Sequence, residues 1–70
     1  MEEIDLHGEL HMNVQTEVLN FLFLNHHNLP VKIITGKSTK MREIVIDILK
    51  KNHYFYEVPA YNSGEIIVFN

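Results

Sequence analysis

Two short polar segments of this chain combine the residue types that phosphate chemistry uses. The first is Asp5-Leu6-His7-Gly8, and the second is Thr35-Gly36-Lys37-Ser38-Thr39. Each follows a short apolar run that is typical of a strand, and each precedes a segment with helical periodicity. Because the loops that leave the carboxyl ends of parallel strands lie side by side, we expect a carboxylate, an imidazole, two glycines and a lysine at one edge of a sheet.

Cleavage of a phosphodiester needs a base for the attacking oxygen, an acid for the leaving oxygen, and donors for the developing charge. His7 supplies the side-chain type that exchanges a proton near neutral pH. Strand alternation predicts Asp5 on the same side as His7, where its carboxylate could hold the imidazole in one tautomer. The main-chain amides of Gly36 and Lys37, at the start of a helix, would form an anion-binding site, and Arg42 would add positive charge.

Structural roles are an alternative explanation of the same residues. Asp5 and His7 could brace the start of the first helix through hydrogen bonds, and residues 35–39 could be an ordinary turn with a helix cap. A nucleotide triphosphate site is excluded, because the upstream glycine and spacer of a P-loop are absent. A metal site formed by Asp5, His7 and His11 is a weaker alternative. We therefore expect no obligatory cofactor, with assistance by Mg²⁺ left open.

Periodicity and turn signals predict six elements in the order β-α-β-α-β-β. The strands are expected at Ile4–His7, Val31–Thr35, Tyr54–Val58 and Glu65–Phe69, and the helices over 12–27 and 39–52. Asn13 or His11 is expected to cap the first helix, and Ser38 or Thr39 the second. Right-handed crossovers put both helices on one face of the sheet. The prediction is an α+β two-layer sandwich with a four-stranded mixed sheet, as one domain over residues 1–70.

Charge is unevenly distributed along the chain. The net charge is −3, yet all six basic residues lie between positions 32 and 51, and three of them crowd the loop after Thr35. This pattern excludes nonspecific coating of nucleic acid but fits focused contact with a few phosphates, or an ordinary solvated helix start. No cysteine, secretory signal or membrane-spanning apolar run is evident, so we expect a cytoplasmic protein that does not bind membranes.

These two motifs resemble the small MutS-related (Smr) domain. The family has a Leu-Asp-Leu-His-Gly strand end and, one helix and one strand later, a His/Thr-Gly-x-Gly loop. Here the first motif reads Ile4-Asp5-Leu6-His7-Gly8, and the second reads Thr35-Gly36-Lys37-Ser38, with serine in place of the second glycine. Met41-Arg42-Glu43 is similar to the family's Leu-Arg-Glu. The resemblance covers nearly the whole chain.

The resemblance implies a nucleic-acid endonuclease that cleaves RNA or nicks structured DNA. It also implies a two-layer fold similar to the C-terminal domain of bacterial translation initiation factor 3. By the positions of the family's motifs, the resemblance implies that Asp5 and His7 are the catalytic residues. Together with the polar residues next to those positions, the expected nucleic-acid contacts are Gly36, Lys37, Ser38, Lys40 and Arg42. Loss of the second glycine predicts a loop that approaches a phosphate less closely, because glycine freely adopts positive φ.

Two further hypotheses remain open from the sequence. The same loops could form a non-catalytic module that binds a nucleic acid or a protein. Alternatively, the apolar run Phe21–Leu24 could mediate self-association, since it widens the apolar arc of the first helix. The aromatic side chains between 54 and 61 are expected mainly in the core, although Tyr61 could stack on an unpaired base.

Overall fold

The computed structural model describes residues 1–69, and Asn70, which the predicted domain 1–70 includes, lies outside the described residues. Two helices and four strands follow one another in the predicted order β-α-β-α-β-β. Their bounds are β1 (Glu3–Asp5), α1 (His11–Leu24), β2 (Val31–Ile34), α2 (Thr39–Lys51), β3 (Tyr56–Glu57) and β4 (Glu65–Val68). Neither helix in residues 1–69 is long and apolar enough to cross a membrane.

The four strands form one mixed sheet with the order β1-β2-β4-β3. β1 and β2 are parallel, whereas β4 lies between β2 and β3 and is antiparallel to both. In the register, Asp5 lies beside Ile34, and Ile34 lies beside Glu65. The carboxyl ends of β1 and β2 therefore meet the amino end of β4 at one edge of the sheet.

One face of the sheet is buried and the other is open. Val31 and Ile33 of β2 and Ile66 and Val68 of β4 are completely buried, and the residues that alternate with them are partly exposed. Both helices pack on the buried face and contact each other. This arrangement confirms the predicted α+β fold with two layers.

α2 forms as the sequence predicts, because its cap and its apolar period agree. Ser38 is the N-cap residue, and its hydroxyl accepts a hydrogen bond from the Met41 amide at 3.0 Å. The buried side chains of α2 recur at helical spacing, and they are Met41, Val45, Ile48 and Leu49. Lys50 and Lys51 lie in the last turn, where positive charge complements the helix dipole.

α1 begins and ends earlier than predicted. Neither His11 nor Asn13 caps it: the N-cap is Leu10, which makes no side-chain cap hydrogen bond. The turn after β1 is tight, with the Glu9 amide donating to the Leu6 carbonyl at 2.9 Å, so the helix is already under way at His11. At the other end, Asn25 caps the helix before the expected stop near Pro30, since its side-chain amide donates to the Phe21 carbonyl at 2.9 Å.

β3 contains only two residues, although a longer strand was predicted over Tyr54–Val58. The Tyr54 amide is used by the end of α2, where it donates to the Leu49 carbonyl at 2.9 Å. On the other side, Pro59 has no amide to donate to a ladder. One further hydrogen bond, from the Phe69 amide to the Phe55 carbonyl at 2.9 Å, extends the pairing beyond the assigned strand.

Candidate functional site

Three chain segments converge at the edge where β1 and β2 end. They are residues 5–8 after β1, residues 35–38 after β2, and residues 62–64 before β4. We call this surface the rim. The first two segments were predicted to meet, because parallel neighbouring strands end at the same edge, and the pairing of β1 with β2 explains how they do so.

Asp5 supports the backbone of the first loop. Its carboxylate oxygen Oδ1 accepts a hydrogen bond from the His7 amide at 2.9 Å, and Gly8 follows with φ of +80°. No hydrogen bond within residues 1–69 involves the His7 ring, so Asp5 does not hold the imidazole here as the tautomer argument predicted. Asp5 therefore supports the turn after β1 at His7, and not the start of α1, which the structural alternative had it brace.

The His7 side chain lies against Gly36. A β-carbon at position 36 would be 3.6 Å from both Cβ and Cδ2 of His7, and Gly36 has φ of +69°. The two predicted loops thus lie next to each other, with the His7 imidazole beside Gly36. His7 is otherwise exposed, so its ring is open to solvent at the rim.

Gly36 is held in place by Gly64, the residue before β4. The Gly64 carbonyl accepts hydrogen bonds from the Thr35 amide at 2.8 Å and from the Gly36 amide at 3.1 Å. The Gly36 amide is therefore already used, and the predicted anion-binding role of this amide does not apply to the structure. Thr35 is almost completely buried and fixes the loop to the core.

The start of α2 leaves several donors unused. No hydrogen bond formed within the described part of the chain uses the main-chain amides of Lys37, Thr39 or Lys40. Unpaired amides at a helix N-terminus, together with the helix dipole, favour an anion. Ser38 has φ of −78°, which any residue adopts, so the serine in place of the family's glycine does not strain this loop.

Basic side chains surround these amides. Lys37 and Lys40 are exposed, and Arg42 is half-buried. One guanidinium nitrogen of Arg42 donates to the Ser63 carbonyl at 3.0 Å, so Arg42 ties α2 to the turn before β4. Arg42 still has other N–H donors, because a guanidinium carries five.

Two features of the rim were missed in the sequence. The Asn62-Ser63-Gly64 turn is part of it, and Asn62 Oδ1 accepts the Gly64 amide at 2.9 Å. Glu65 comes next, with Oε2 at 3.5 Å from Lys32 Nζ and with Oε1 buried without a hydrogen-bond partner. The sequence signal for Glu65 is an acidic residue directly after a turn glycine, at the first position of an otherwise apolar strand.

Aromatic side chains divide between core and surface. Tyr54 and Tyr56 pack against the core, as predicted for the group. Phe55 is 70% exposed, so the prediction of core filling is wrong for this ring. Tyr61, the exception expected in a loop, is 84% exposed. Tyr61 therefore stays available for the stacking role, whereas Tyr54 and Tyr56 do not.

Neither a metal centre nor an enclosed cavity accompanies the rim. Over residues 1–69 no three histidine or acidic side chains are grouped to hold a metal ion, so the alternative built on Asp5, His7 and His11 has no assembled ligand set. The surface described is shallow, and it contains no pocket.

Comparisons with protein-family models, with curated proteins and with solved structures found no significant match to this chain.

Proposed function

We propose that the rim binds and cleaves a nucleic-acid strand, as an endonuclease of the Smr type acting on RNA or structured DNA. The observation that carries the proposal is the position of the His7 imidazole beside Gly36, with Cδ2 3.6 Å from where a β-carbon on Gly36 would lie, next to a helix start with unused amides. A proton-exchanging group next to an anion-binding group is the minimum that phosphodiester cleavage requires.

The proposed chemistry uses this chain's own residues. In its neutral form, the His7 imidazole accepts a proton from the attacking hydroxyl, which is the 2′-hydroxyl in RNA or a water in DNA. The new P–O bond forms as the bond to the leaving oxygen breaks, and the protonated imidazole returns a proton to that oxygen. Lys37 and Arg42 offset the negative charge that develops on phosphorus-bound oxygens. No step is assigned to a metal, because the described residues form no ligand set for one.

Cleavage assays with labelled single-stranded RNA, duplex DNA and branched DNA, with and without Mg²⁺, test this proposal. His7→Ala is expected to lower the rate by about 100-fold or more, since acid–base catalysis contributes about 10²–10⁴-fold. The matched control is His11→Ala, because His11 is also exposed but lies four residues further on, in α1. Equal rates for the parent and His7→Ala on every substrate would overturn the catalytic role.

A non-catalytic binding module is the second candidate, and one observation favours it. The Asp5 carboxylate is bonded to a backbone amide rather than to the His7 ring, so no acid–base pair is assembled. Fluorescence anisotropy with the same nucleic acids would distinguish the candidates. Binding with a salt slope for about two or three phosphates, weakened by Lys37→Ala and without turnover, would select the module.

A further inference from the structure

The side of the sheet opposite the helices carries apolar side chains. We call it the outer face; strand alternation places Ile67 of β4 there, beside Glu57 of β3. Phe69 and Phe55 extend it, because the Phe69 amide donates to the Phe55 carbonyl at 2.9 Å and each ring follows or precedes a residue that packs into the core. Phe55 is 70% exposed and Phe69 is 45% exposed. The solvated face of an antiparallel sheet is normally polar, so adjacent exposed rings indicate a surface that binds a partner.

The outer face also carries the whole net charge of the chain. Its charged residues are Glu3 and Asp5 of β1, Lys32 of β2, Glu57 of β3 and Glu65 of β4. Four carboxylates and one ammonium group give this face a net charge of −3, which is also the net charge of the chain. The remaining five acidic and five basic residues therefore balance one another, and the excess negative charge lies beside the exposed rings.

Most of this negative charge is not neutralised by the chain itself. Glu65 Oε2 lies 3.5 Å from Lys32 Nζ, so the single lysine of the outer face is already paired. No salt bridge within residues 1–69 involves Glu3, Asp5 or Glu57, and all three are exposed. A partner that brings positive charge therefore finds carboxylates that are free to pair with it.

One row of the register gives the dimensions of this surface. Glu3, Lys32, Ile67 and Glu57 are neighbours across the four strands, with a carboxylate at each end of the row. Three strand spacings of about 4.8 Å separate the two carboxylate positions by about 14 Å. An α-helix with its side chains is about 10–12 Å wide, so cationic side chains on its two flanks match this separation.

Charge and backbone pairing together define the chemistry of the partner. Nucleic acids and anionic lipid surfaces are repelled by the excess negative charge, whereas lysine and arginine side chains are attracted. The inner strands β2 and β4 already pair on both sides, so a segment that lies on the outer face gains no main-chain hydrogen bonds from them. Such a segment must satisfy its own amides and carbonyls, which an α-helix does.

A second copy of this chain does not supply such a helix. α1 has exposed apolar side chains, Met12 and Phe23, but contains no lysine or arginine. α2 contains four basic residues, but none of its large apolar side chains is exposed. The run Phe21–Leu24, one hypothesis for self-association, is divided, because Leu22 belongs to the core and Phe21 packs against it. The helix that fits the outer face therefore comes from a different protein.

We propose that the outer face binds a basic amphipathic helix of another protein. The apolar side of that helix packs on the Phe55 and Phe69 rings, and its lysine or arginine side chains pair with Glu57 and Glu3. Helix binding would give the sheet a helical layer on each face, which is a stable layer arrangement. The basic residues of the rim lie outside this face, so the proposal does not rest on the proposed function.

Fluorescence anisotropy of the full chain with labelled synthetic helices tests the proposal. The probe is a peptide of about 18 residues, long enough to form a helix, with leucines at helical spacing and lysines on both flanks. We expect a Kd of about 10–100 μM at low ionic strength, rising as salt is added. A second peptide, with the same leucines and with glutamate in place of each lysine, should bind at least about tenfold more weakly.

Two pairs of variants locate the binding surface. Glu57→Lys should weaken binding of the lysine peptide at least about fivefold, because attraction becomes repulsion. Glu43→Lys is its matched control, since it makes the same change of charge at an exposed position of α2, and its effect should stay below about twofold. Phe55→Ala should also weaken binding at least about fivefold, whereas Phe23→Ala, at an exposed ring on α1, should leave it unchanged.

Amide resonances of the isotope-labelled chain, followed by NMR during titration with the lysine peptide, show directly where it binds. The largest shifts are expected at Phe55, Ile67 and Phe69. Absence of binding, equal binding of the glutamate peptide, equal weakening by Glu43→Lys, or shifts confined to the helices or the rim would each overturn the proposal.

Discussion

The Gly36 carbonyl oxygen lies 2.9 Å from the point that a β-carbon on Gly64 would occupy. At the same time, the Gly64 carbonyl accepts the Gly36 amide at 3.1 Å. These two glycines are far apart in sequence, yet each fixes the backbone of the other. The loop that carries the basic residues of the rim is therefore held by the turn before β4.

Gly64→Ala is expected to destabilise the protein by about 1–3 kcal/mol, because the added methyl group meets backbone that must shift. The φ of Gly64 is not in the left-handed region, so steric overlap alone accounts for this loss. Urea unfolding followed by circular dichroism measures it. Ser63→Ala is the control and should change the free energy of unfolding by less than about 0.5 kcal/mol. A Gly64→Ala effect as small as that of the control would contradict the proposed close approach.

Gly8→Ala and Gly36→Ala separate backbone strain from contact with His7. Both glycines have positive φ, of +80° and +69°, so each substitution is expected to cost about 1–2 kcal/mol. A β-carbon at Gly36 would lie 3.6 Å from Cδ2 of the His7 ring, whereas one at Gly8 meets no atom within 4 Å beyond its chain neighbours. Gly36→Ala should therefore shift the His7 ring resonances in an NMR spectrum, and Gly8→Ala reports the cost of positive φ at a loop glycine. Unchanged His7 ring resonances in Gly36→Ala would place the imidazole elsewhere.

Substitutions of Ser38 test its role as the N-cap residue of α2. Removal of its hydroxyl in Ser38→Ala leaves the Met41 amide without its acceptor, so we expect a loss of about 1 kcal/mol. Ser38→Gly, which introduces a residue that is also tolerated as an N-cap, should cost only about a few tenths of a kcal/mol. Thermal and urea unfolding of both variants measure the difference. If Ala and Gly proved equally mild, the serine would not be acting as a cap.

The end of α2 contains a residue in an unfavourable conformation. His53 has φ of +62°, and the helix ends with hydrogen bonds from His53 to Lys50 and from Tyr54 to Leu49, the pattern of a Schellman motif. His53→Gly is expected to stabilise the protein by about 0.5–1 kcal/mol, because glycine adopts positive φ without strain. Lys50→Gly, inside the helix, should instead destabilise it by about 1 kcal/mol. A loss of stability in His53→Gly would show that its side chain outweighs the strain.

Several elements were predictable because local and tertiary preferences agree. α2 has an N-cap residue, a clean apolar period and basic residues in its last turn, and all three appear in the structure. The order of elements followed from strand patterns separated by helical ones, and the meeting of the two loops followed from parallel neighbouring strands. Each of these inferences depends only on the residue pattern within one segment, or on the pairing of two neighbouring segments.

The errors arise where a group other than the predicted one takes a hydrogen bond, whether that group is distant or close in sequence. The Gly36 amide was expected to face an anion, but a turn 28 positions later in the chain, at Gly64, accepts it. The Asp5 carboxylate was expected on an imidazole, but a backbone amide two residues away is nearer. The sequence contains the partners in each case but not their distances.

Glu17 gives a prediction about pH. Burial raises the pKa of its carboxyl above the ordinary glutamate value, and the nearby Glu9 raises it further by charge repulsion and by a hydrogen bond. A raised acid pKa means that the folded chain holds this proton more tightly than the unfolded chain does. Stability from this group is therefore fully present below the ordinary pKa and is lost as pH rises through the raised value.

Glu17→Gln removes that loss, because glutamine stays neutral at every pH. We expect the variant to be more stable than the parent at pH 7, and the difference to shrink towards zero as pH falls below the ordinary glutamate pKa of about 4.3. Urea unfolding across this pH range measures the difference. Glu43→Gln is the control, since Glu43 is exposed on α2, and it should not show this pH-dependent gain. A Glu17→Gln gain that persisted unchanged into acid would instead point to packing of the amide, independent of charge.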